Sequence, residues 1–181
     1  MDLASRSKKI KLVALDVDGV LTSGQLIFGR DGELMKKFHA QDGLGLTVAR
    51  KAGLTIAIIT GRESQMVALR SAELKITDLY QGSTNKMKAL TELMTKYNLT
   101  AEEIAYVGDD LNDLPILARV GLPCAVANAA PEVKQYAHLV TTHTGGNGAV
   151  REVVEHILKA QGKWQGIVDA YLHDAEVGTQ Q

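Results

Sequence analysis

Four stretches carry the residues able to do chemistry: Asp16-Val17-Asp18-Gly19, Thr60-Gly61-Arg62, Lys86, and Gly108-Asp109-Asp110-Leu111-Asn112-Asp113. Asp16, Asp18, Asp109, Asp110 and Asp113 follow short apolar runs, so one sheet edge would crowd them. Carboxylates packed together repel and desolvate at substantial cost unless a cation joins them. Mg²⁺ suits such a set, because it takes one or two carboxylates, keeps waters and accepts a substrate phosphate oxygen. A carboxylate there can attack phosphorus in line and form an aspartyl phosphate. Lys86 would neutralise charge at that nucleophile and at the phosphoryl group. The Thr60 hydroxyl would donate to a phosphoryl oxygen, and backbone N–H groups near Asp18 and Gly61 would complete the cradle. Asp18, two residues beyond Asp16, would protonate the leaving oxygen and then take a proton from the hydrolytic water.

Those residues need elements to hold them. Ile10 to Leu15 is apolar with an abrupt acidic stop, which reads as a buried strand. Leu54 to Thr60 and Ile104 to Val107 read the same way, with further strands at Asp78-Leu79-Tyr80, around Cys124 and at Leu139 to Thr141. Helical patterns fill the gaps: Asp42 to Ala52 with Leu44, Val48 and Ala49 on one face, Glu63 to Leu74, Asn85 to Tyr97, Leu111 to Val120, Pro131 to Tyr136, and Ala149 to Gln161. Continuous apolar strands alternating with helices predict an α/β fold, a doubly wound, mostly parallel sheet covered on both faces. In such sheets ligands bind outside the carboxyl ends of the strands, where the acids fall. A β-hairpin is expected around 23–39, built on Leu26-Ile27-Phe28 and Leu34 to Phe38 with a Gly29-Arg30-Asp31-Gly32 turn. The tail, about 162–181, carries Trp164, Ile167, Val168, Tyr171 and Leu172 at near-helical spacing, so it should dock; beyond Asp174 it should fray.

Composition narrows the function classes. The 181 residues fit a single domain. Lys+Arg is 20 against Asp+Glu 21, net −1, which argues against a nucleic-acid-binding surface. No apolar run approaches membrane-spanning length and the first residues lack a signal-type core, so no membrane role and a cytoplasmic setting are expected. The single cysteine, Cys124, reads as a buried inert thiol. His138, His143, His156 and His173 show no metal-ligand spacing.

In this order and on these elements, the residues resemble the haloacid dehalogenase superfamily of phosphohydrolases. The resemblance implies Asp16 as nucleophile and Asp18 as acid/base. Mg²⁺ would be held by Asp16, Asp109 and the Asp18 backbone carbonyl, with Asp110 and Asp113 supporting the metal shell. Thr60 and Lys86 would bind the phosphoryl group. Only 44 positions separate Asp16 from Thr60, and 26 separate Thr60 from Lys86, so no cap domain fits. The chain looks like the small capless sugar-phosphate phosphatases. Further matches are Phe38-His39 leading to Asp42-Gly43-Leu44-Gly45, and Gly145-Gly146-Asn147-Gly148-Ala149-Val150-Arg151-Glu152. A small anionic sugar phosphate would then touch Gly19, Thr60, Gly61, Arg62, Lys86, Asn112, His39, Asp42 and Gly43. Arg62 after Thr60-Gly61 favours an eight-carbon sugar acid over a nine-carbon one, and a guanidinium suits a carboxylate. Asn147 departs from the basic residue expected there. In the family a hairpin from one subunit and the C-terminal region of a neighbour close the open site, which implies a homotetramer with shared sites.

A phosphoacceptor signalling module would also use acids, Mg²⁺, Thr and Lys on a doubly wound sheet. Its acceptor Asp would follow a middle strand, and here the Leu54 to Thr60 strand ends in Thr. Asp18 has no part in such a module.

Overall fold

The computed structural model describes residues 2–177. Its centre is β1 (Leu12–Leu15), four apolar residues with every side chain buried. β4 (Thr55–Ile59) and β6 (Ile104–Gly108) pair with it on either side, Leu15 aligning with Ile58 and with Val107. β5 (Asp78–Tyr80), β7 (Leu122–Ala125) and β8 (Leu139–Val140) extend this to a six-stranded sheet in the order β5-β4-β1-β6-β7-β8, parallel at every pairing. The chain leaves β1 for β4 on one side and later returns to β6 on the other. The carboxyl end of β1 therefore faces the crevice where the winding reverses. The expected doubly wound α/β sheet is the observed one.

Helices cover both faces. α2 (Ala40–Lys51) packs on α7 (Ala149–Ala160), which also meets α1 (Leu3–Lys8) and α8 (Trp164–Val177). α4 (Lys86–Tyr97) packs on α5 (Leu114–Leu117), and α5 on α6 (Pro131–Tyr136). α3 (Gln65–Glu73) starts from Ser64, whose hydroxyl accepts from Val67 N, and lies beside α2. The apolar seam of α7 is Val150, Val153, Val154, Ile157 and Leu158, all buried at helical spacing. Burying each such side chain contributes about 1.5–3 kcal/mol, so the sheet edge rests on a rigid core. Cys124 is fully buried, and burial pushes its thiol pKa up, as expected of an inert core thiol.

Several local expectations change. α1 is a short helix that the sequence reading did not include; Asp2 starts it by accepting from Ser5 N at 2.7 Å. On α2 the buried face is Leu46, Val48 and Ala49, while Leu44 is exposed. The stretch expected as one helix over Leu111 to Val120 is a 3-10 turn at Leu111–Asp113 followed by the single turn of α5. Asp113 is drawn inward there, and Gly121 runs against the Glu102 carbonyl, where a Cβ would sit 2.2 Å from the oxygen.

β2 (Ile27–Gly29) and β3 (Gly32–Met35) form the expected hairpin as a separate antiparallel pair. Leu26, Phe28, Leu34 and Met35 stay exposed, whereas Phe38 packs on the core under Arg70. The tail docks as α8: Trp164 and Ile167 pack on the core, with the Arg151 guanidinium 5.1 Å from the Trp164 ring centre. The backbone stays helical to Val177, past the point where fraying was expected; residues 178–181 lie outside the described residues.

Candidate active site

The turn after β1 is wound around one carbonyl. Val17 O accepts from Val20 N, Leu21 N and Thr22 N at 2.9–3.2 Å, and also from the Thr22 hydroxyl. Gly19 sits inside this turn at φ +89°, and a Cβ there would lie 2.0 Å from Asp109 Oδ2. Glycine thus lets the loop after β1 touch the acid after β6. The loop of Gly145 and Gly146 braces the turn from behind. Gly146 N donates to Val20 O at 2.9 Å, and a Cβ on Gly145 would fall 1.6 Å from Gly19 O. No side chain fits between them.

Asp16 lies at the end of β1, 5% exposed, with Oδ1 accepting from Val17 N at 2.7 Å. Lys86, at the first turn of α4, donates to Asp16 Oδ2 at 2.6 Å and to Asp113 Oδ1 at 2.7 Å. Tyr106, in the middle of β6, donates its hydroxyl to the same Asp113 oxygen at 2.6 Å. The other oxygen, Asp113 Oδ2, accepts from Asp109 N at 2.9 Å and Asp110 N at 3.3 Å. Asp113 is therefore fully engaged, and it fixes both Lys86 and the backbone that presents Asp109. The sequence reading missed Tyr106. The signal was a phenol inside a buried strand, because a buried O–H needs a partner.

Asp16, Asp109 and Asp113 each place an oxygen within 4.8 Å of the others, and no second group of this kind exists among the described residues. Burial pushes the Asp16 carboxyl above its usual range; Lys86 opposes this and Asp113 adds to it. Asp109 rises to about 7, through burial first and then the charges of Asp113, Asp16 and Asp110. Burial would lower the Lys86 ammonium, but Asp113 and Asp16 outweigh it, so it stays a cation. Among the described residues the Asp109 carboxylate accepts no hydrogen bond. Negative charge thus exceeds the available donors by about the amount a divalent cation would supply. The donor set fits Mg²⁺, all hard oxygen, with Asp16 and Asp109 holding unengaged lone pairs and Asp113 behind them.

A cavity of about 230 Å³ opens over these acids. Asp16, Asp18, Thr60, Gly61, Arg62, Asp109, Asp110 and Asn112 line it, joined by Gly24 and Leu26 of the hairpin approach. Thr60 is held by its backbone: N donates to Tyr80 O and O accepts from Ser83 N. Among the described residues, the N–H groups of Asp18, Gly61 and Arg62 donate to no protein acceptor, which leaves three backbone donors free for an anion.

Three expected substrate contacts lie elsewhere. Asp42 is 1% exposed and starts α7, accepting from Gly148 N at 3.2 Å and Arg151 N at 2.8 Å. Gly43 faces Arg70 of α3, and His39 precedes α2 with its Nδ1 buried and unpartnered. These three border a separate narrow cleft with Leu21, Phe38 and Ser71. Asp42 ties α2 to α7, and Gly43 lets α2 approach Arg70 of α3. Two charged residues of the hairpin, absent from the sequence reading, do reach the site. Lys36 ion-pairs with Asp18 and lies 3.1 Å from Glu33, which accepts from the Ser64 hydroxyl.

The sheet order, the acid pair after β1 and the Lys86–Asp113 brace define a haloacid dehalogenase-like hydrolase, and the chain belongs to that family. The family model of haloacid dehalogenase-like hydrolases matches residues 64–153. More particularly, the chain is 46% identical to the 3-deoxy-D-manno-octulosonate 8-phosphate phosphatase KdsC of Escherichia coli K12, over 90% of this chain and 86% of that one. Its fold is similar to the same phosphatase from Yersinia pestis, with a TM-score of 0.89, 44% identity, and 91% and 89% of the two chains covered. It is similar also to the Moraxella catarrhalis phosphatase solved with magnesium, phosphate and KDO, with a TM-score of 0.90, 43% identity, and 93% and 97% covered.

Proposed function

We propose that the protein is a Mg²⁺-dependent phosphatase that hydrolyses 3-deoxy-D-manno-octulosonate 8-phosphate to KDO and phosphate, in lipopolysaccharide sugar synthesis. The observation that carries this reading is the cavity in which Asp16, Asp18, Thr60 and Asp109 meet over the Lys86–Asp113 pair. Relatives at 43–46% identity with that activity in their names support it. Asp16 and Asp109, with the Asp18 carbonyl, would hold the metal, backed by Asp110 and Asp113. When bound, the metal neutralises charge where carboxylate and phosphoryl oxygens approach.

Asp16 attacks phosphorus while Lys86 and the Thr60 hydroxyl hold the phosphoryl oxygens, helped by the free N–H groups of Asp18, Gly61 and Arg62. The sugar oxygen leaves with the bonding pair and takes a proton from Asp18. Asp18 then removes a proton from water as it opens the aspartyl phosphate. Arg62 and Asn112, at the mouth, suit the anionic and hydroxylated parts of the sugar.

The remaining assignments extend this reading. The chain acts as one domain in the cytoplasm; no helix among the described residues is long and apolar enough to cross a membrane. The exposed Phe28, Leu34 and Met35 on the hairpin fit a homotetramer with sites shared between subunits. One experiment tests both parts: kcat/KM for the eight- and nine-carbon sugar-acid phosphates with Mg²⁺, on a sample whose mass is fixed by light scattering. A clear preference for the eight-carbon substrate by a tetramer is expected. Preference for the nine-carbon ester would overturn the substrate, and full activity in a monomer would remove the shared site.

A further inference from the structure

Among the described residues, the Asp18 carboxylate is the one acid lining the cavity that pairs with a cation of the hairpin segment. Lys36, one residue beyond β3, brings its ammonium onto Asp18 Oδ1, and the Lys36 side chain is 2% exposed. A buried ammonium persists only when paired. Its second partner is Glu33 Oε1 at 3.1 Å, whose other oxygen accepts from the Ser64 hydroxyl. Ser64 is itself fixed, since its hydroxyl starts α3 and its N donates to Gln81 Oε1 at 2.8 Å. Arg62 offers Asp18 nothing comparable: its Nε stands 3.7 Å from Oδ2, beyond hydrogen-bond reach, and its guanidinium lies over the Phe28 ring. Among the described residues, Lys36 alone donates a hydrogen bond to the Asp18 side chain.

We propose that Lys36 is the positioning residue for Asp18. Anchored through Glu33 and Ser64 to the start of α3, it fixes the Asp18 carboxyl in one rotamer and leaves Oδ2 to serve the leaving group. This rests on the reading of Asp18 as the acid/base. In the first step the Asp16 oxygen–phosphorus bond forms as the phosphorus–ester oxygen bond breaks. The departing pair stays on the ester oxygen, which takes the proton carried by Asp18. Lys36 gains and loses nothing; it holds the donor still. The hairpin thereby acts on its own chain's site, separately from any role of its exposed apolar face between subunits.

A positioning role has a signature that loss of fold or of phosphate binding lacks. An alcohol that leaves poorly needs the proton, and one that leaves well hardly does. The test compares kcat/KM for phenyl phosphate and p-nitrophenyl phosphate, two esters without a sugar or carboxylate, in wild type, Lys36→Met, Lys36→Arg and Glu33→Gln. Lys36→Met should lose about tenfold or more on phenyl phosphate and only about threefold on the nitrophenyl ester. Glu33→Gln, which loosens Lys36 without touching Asp18, should show the same skew in weaker form. Lys36→Arg should recover most of the phenyl activity. Equal losses on both esters, or none, would overturn the proposal. The phosphatase reading fails separately, if wild type releases phosphate from neither these esters nor the eight-carbon sugar-acid phosphate, or if Asp16→Asn retains activity; either result removes the ground on which the proposal stands.

Discussion

Two regions of this molecule bury aspartates about equally well, and they use them for opposite ends. At the sheet edge Asp16 is 5% exposed; at the junction of α2 and α7 Asp42 is 1% exposed. Both follow or begin a regular element and both fall in recognisable sequence patterns. Asp42 meets one backbone N–H with each oxygen, from Gly148 and Arg151, so its charge is spent on starting a helix. Asp16 shares Lys86 with Asp113, while Asp109 beside them accepts no hydrogen bond among the described residues. Burial alone therefore does not mark a functional acid. An excess of buried negative charge over local donors does, because the excess can be relieved only by a proton, a cation or a substrate.

The sharpest way to break this comparison is to remove the charge at each place. Asp16→Asn should lower phosphatase turnover by about 10⁴-fold or more, since the amide cannot attack phosphorus. Lys86 keeps Asp113 and Tyr106 as partners, so circular dichroism should report an intact fold. Turnover retained within about tenfold would dissolve the distinction between the two aspartates.

Charge excess also predicts a dependence on pH and metal that the α2–α7 junction does not share. Burial raises Asp16, and Asp109 reaches about 7. An acid held above its unfolded pKa binds its proton more tightly when folded. Its contribution is thus favourable at low pH and is lost as pH climbs from about 4 through about 7. The metal-free protein should accordingly lose Tm between about pH 5.5 and pH 8, and Mg²⁺ should restore more of it at pH 8, where it no longer competes with protons. Differential scanning fluorimetry with EDTA and with Mg²⁺ at both pH values measures this. A magnesium shift equal at the two pH values would contradict the charge-excess account.

The contrast explains what could be read from the chain in advance. β1, β4 and β6 end abruptly in Asp16, Thr60 and Asp109, and the sheet order brings those ends together, so local pattern sufficed there. Asp42 sits in an equally clear pattern, but its partners lie more than a hundred positions away, and sequence spacing does not carry that pairing. Tyr106 looked like one more apolar strand residue because its hydroxyl counts for little in a buried run. Lys36 and Glu33 were invisible for a different reason. A two-stranded ribbon has no core of its own to fix which face turns inward, so its polar face was legible only once Ser64 and Asp18 were placed. The loop at Gly145 and Gly146, which carries part of the resemblance, is packing space against the Gly19 turn.

The smallest expected effect on activity is the most discriminating one. Asp42→Ala removes the acceptor for two backbone N–H groups at a buried helix start, and water has little access to replace it. Losing such a start costs about 0.5–2 kcal/mol, and stranding a buried donor adds about 1–3 kcal/mol more. A loss near 2–3 kcal/mol is thus expected in urea titration, where a lowered midpoint with unchanged slope would place it in native-state stability. Because Asp42 does not line the cavity over Asp16, kcat/KM at a temperature where the variant is folded should stay within about twofold of wild type. A large rise in KM at full stability would return Asp42 to the substrate and erase the division between the two regions. A large stability loss with normal kinetics would show that a motif can mark a helix junction as strongly as it marks a catalytic site.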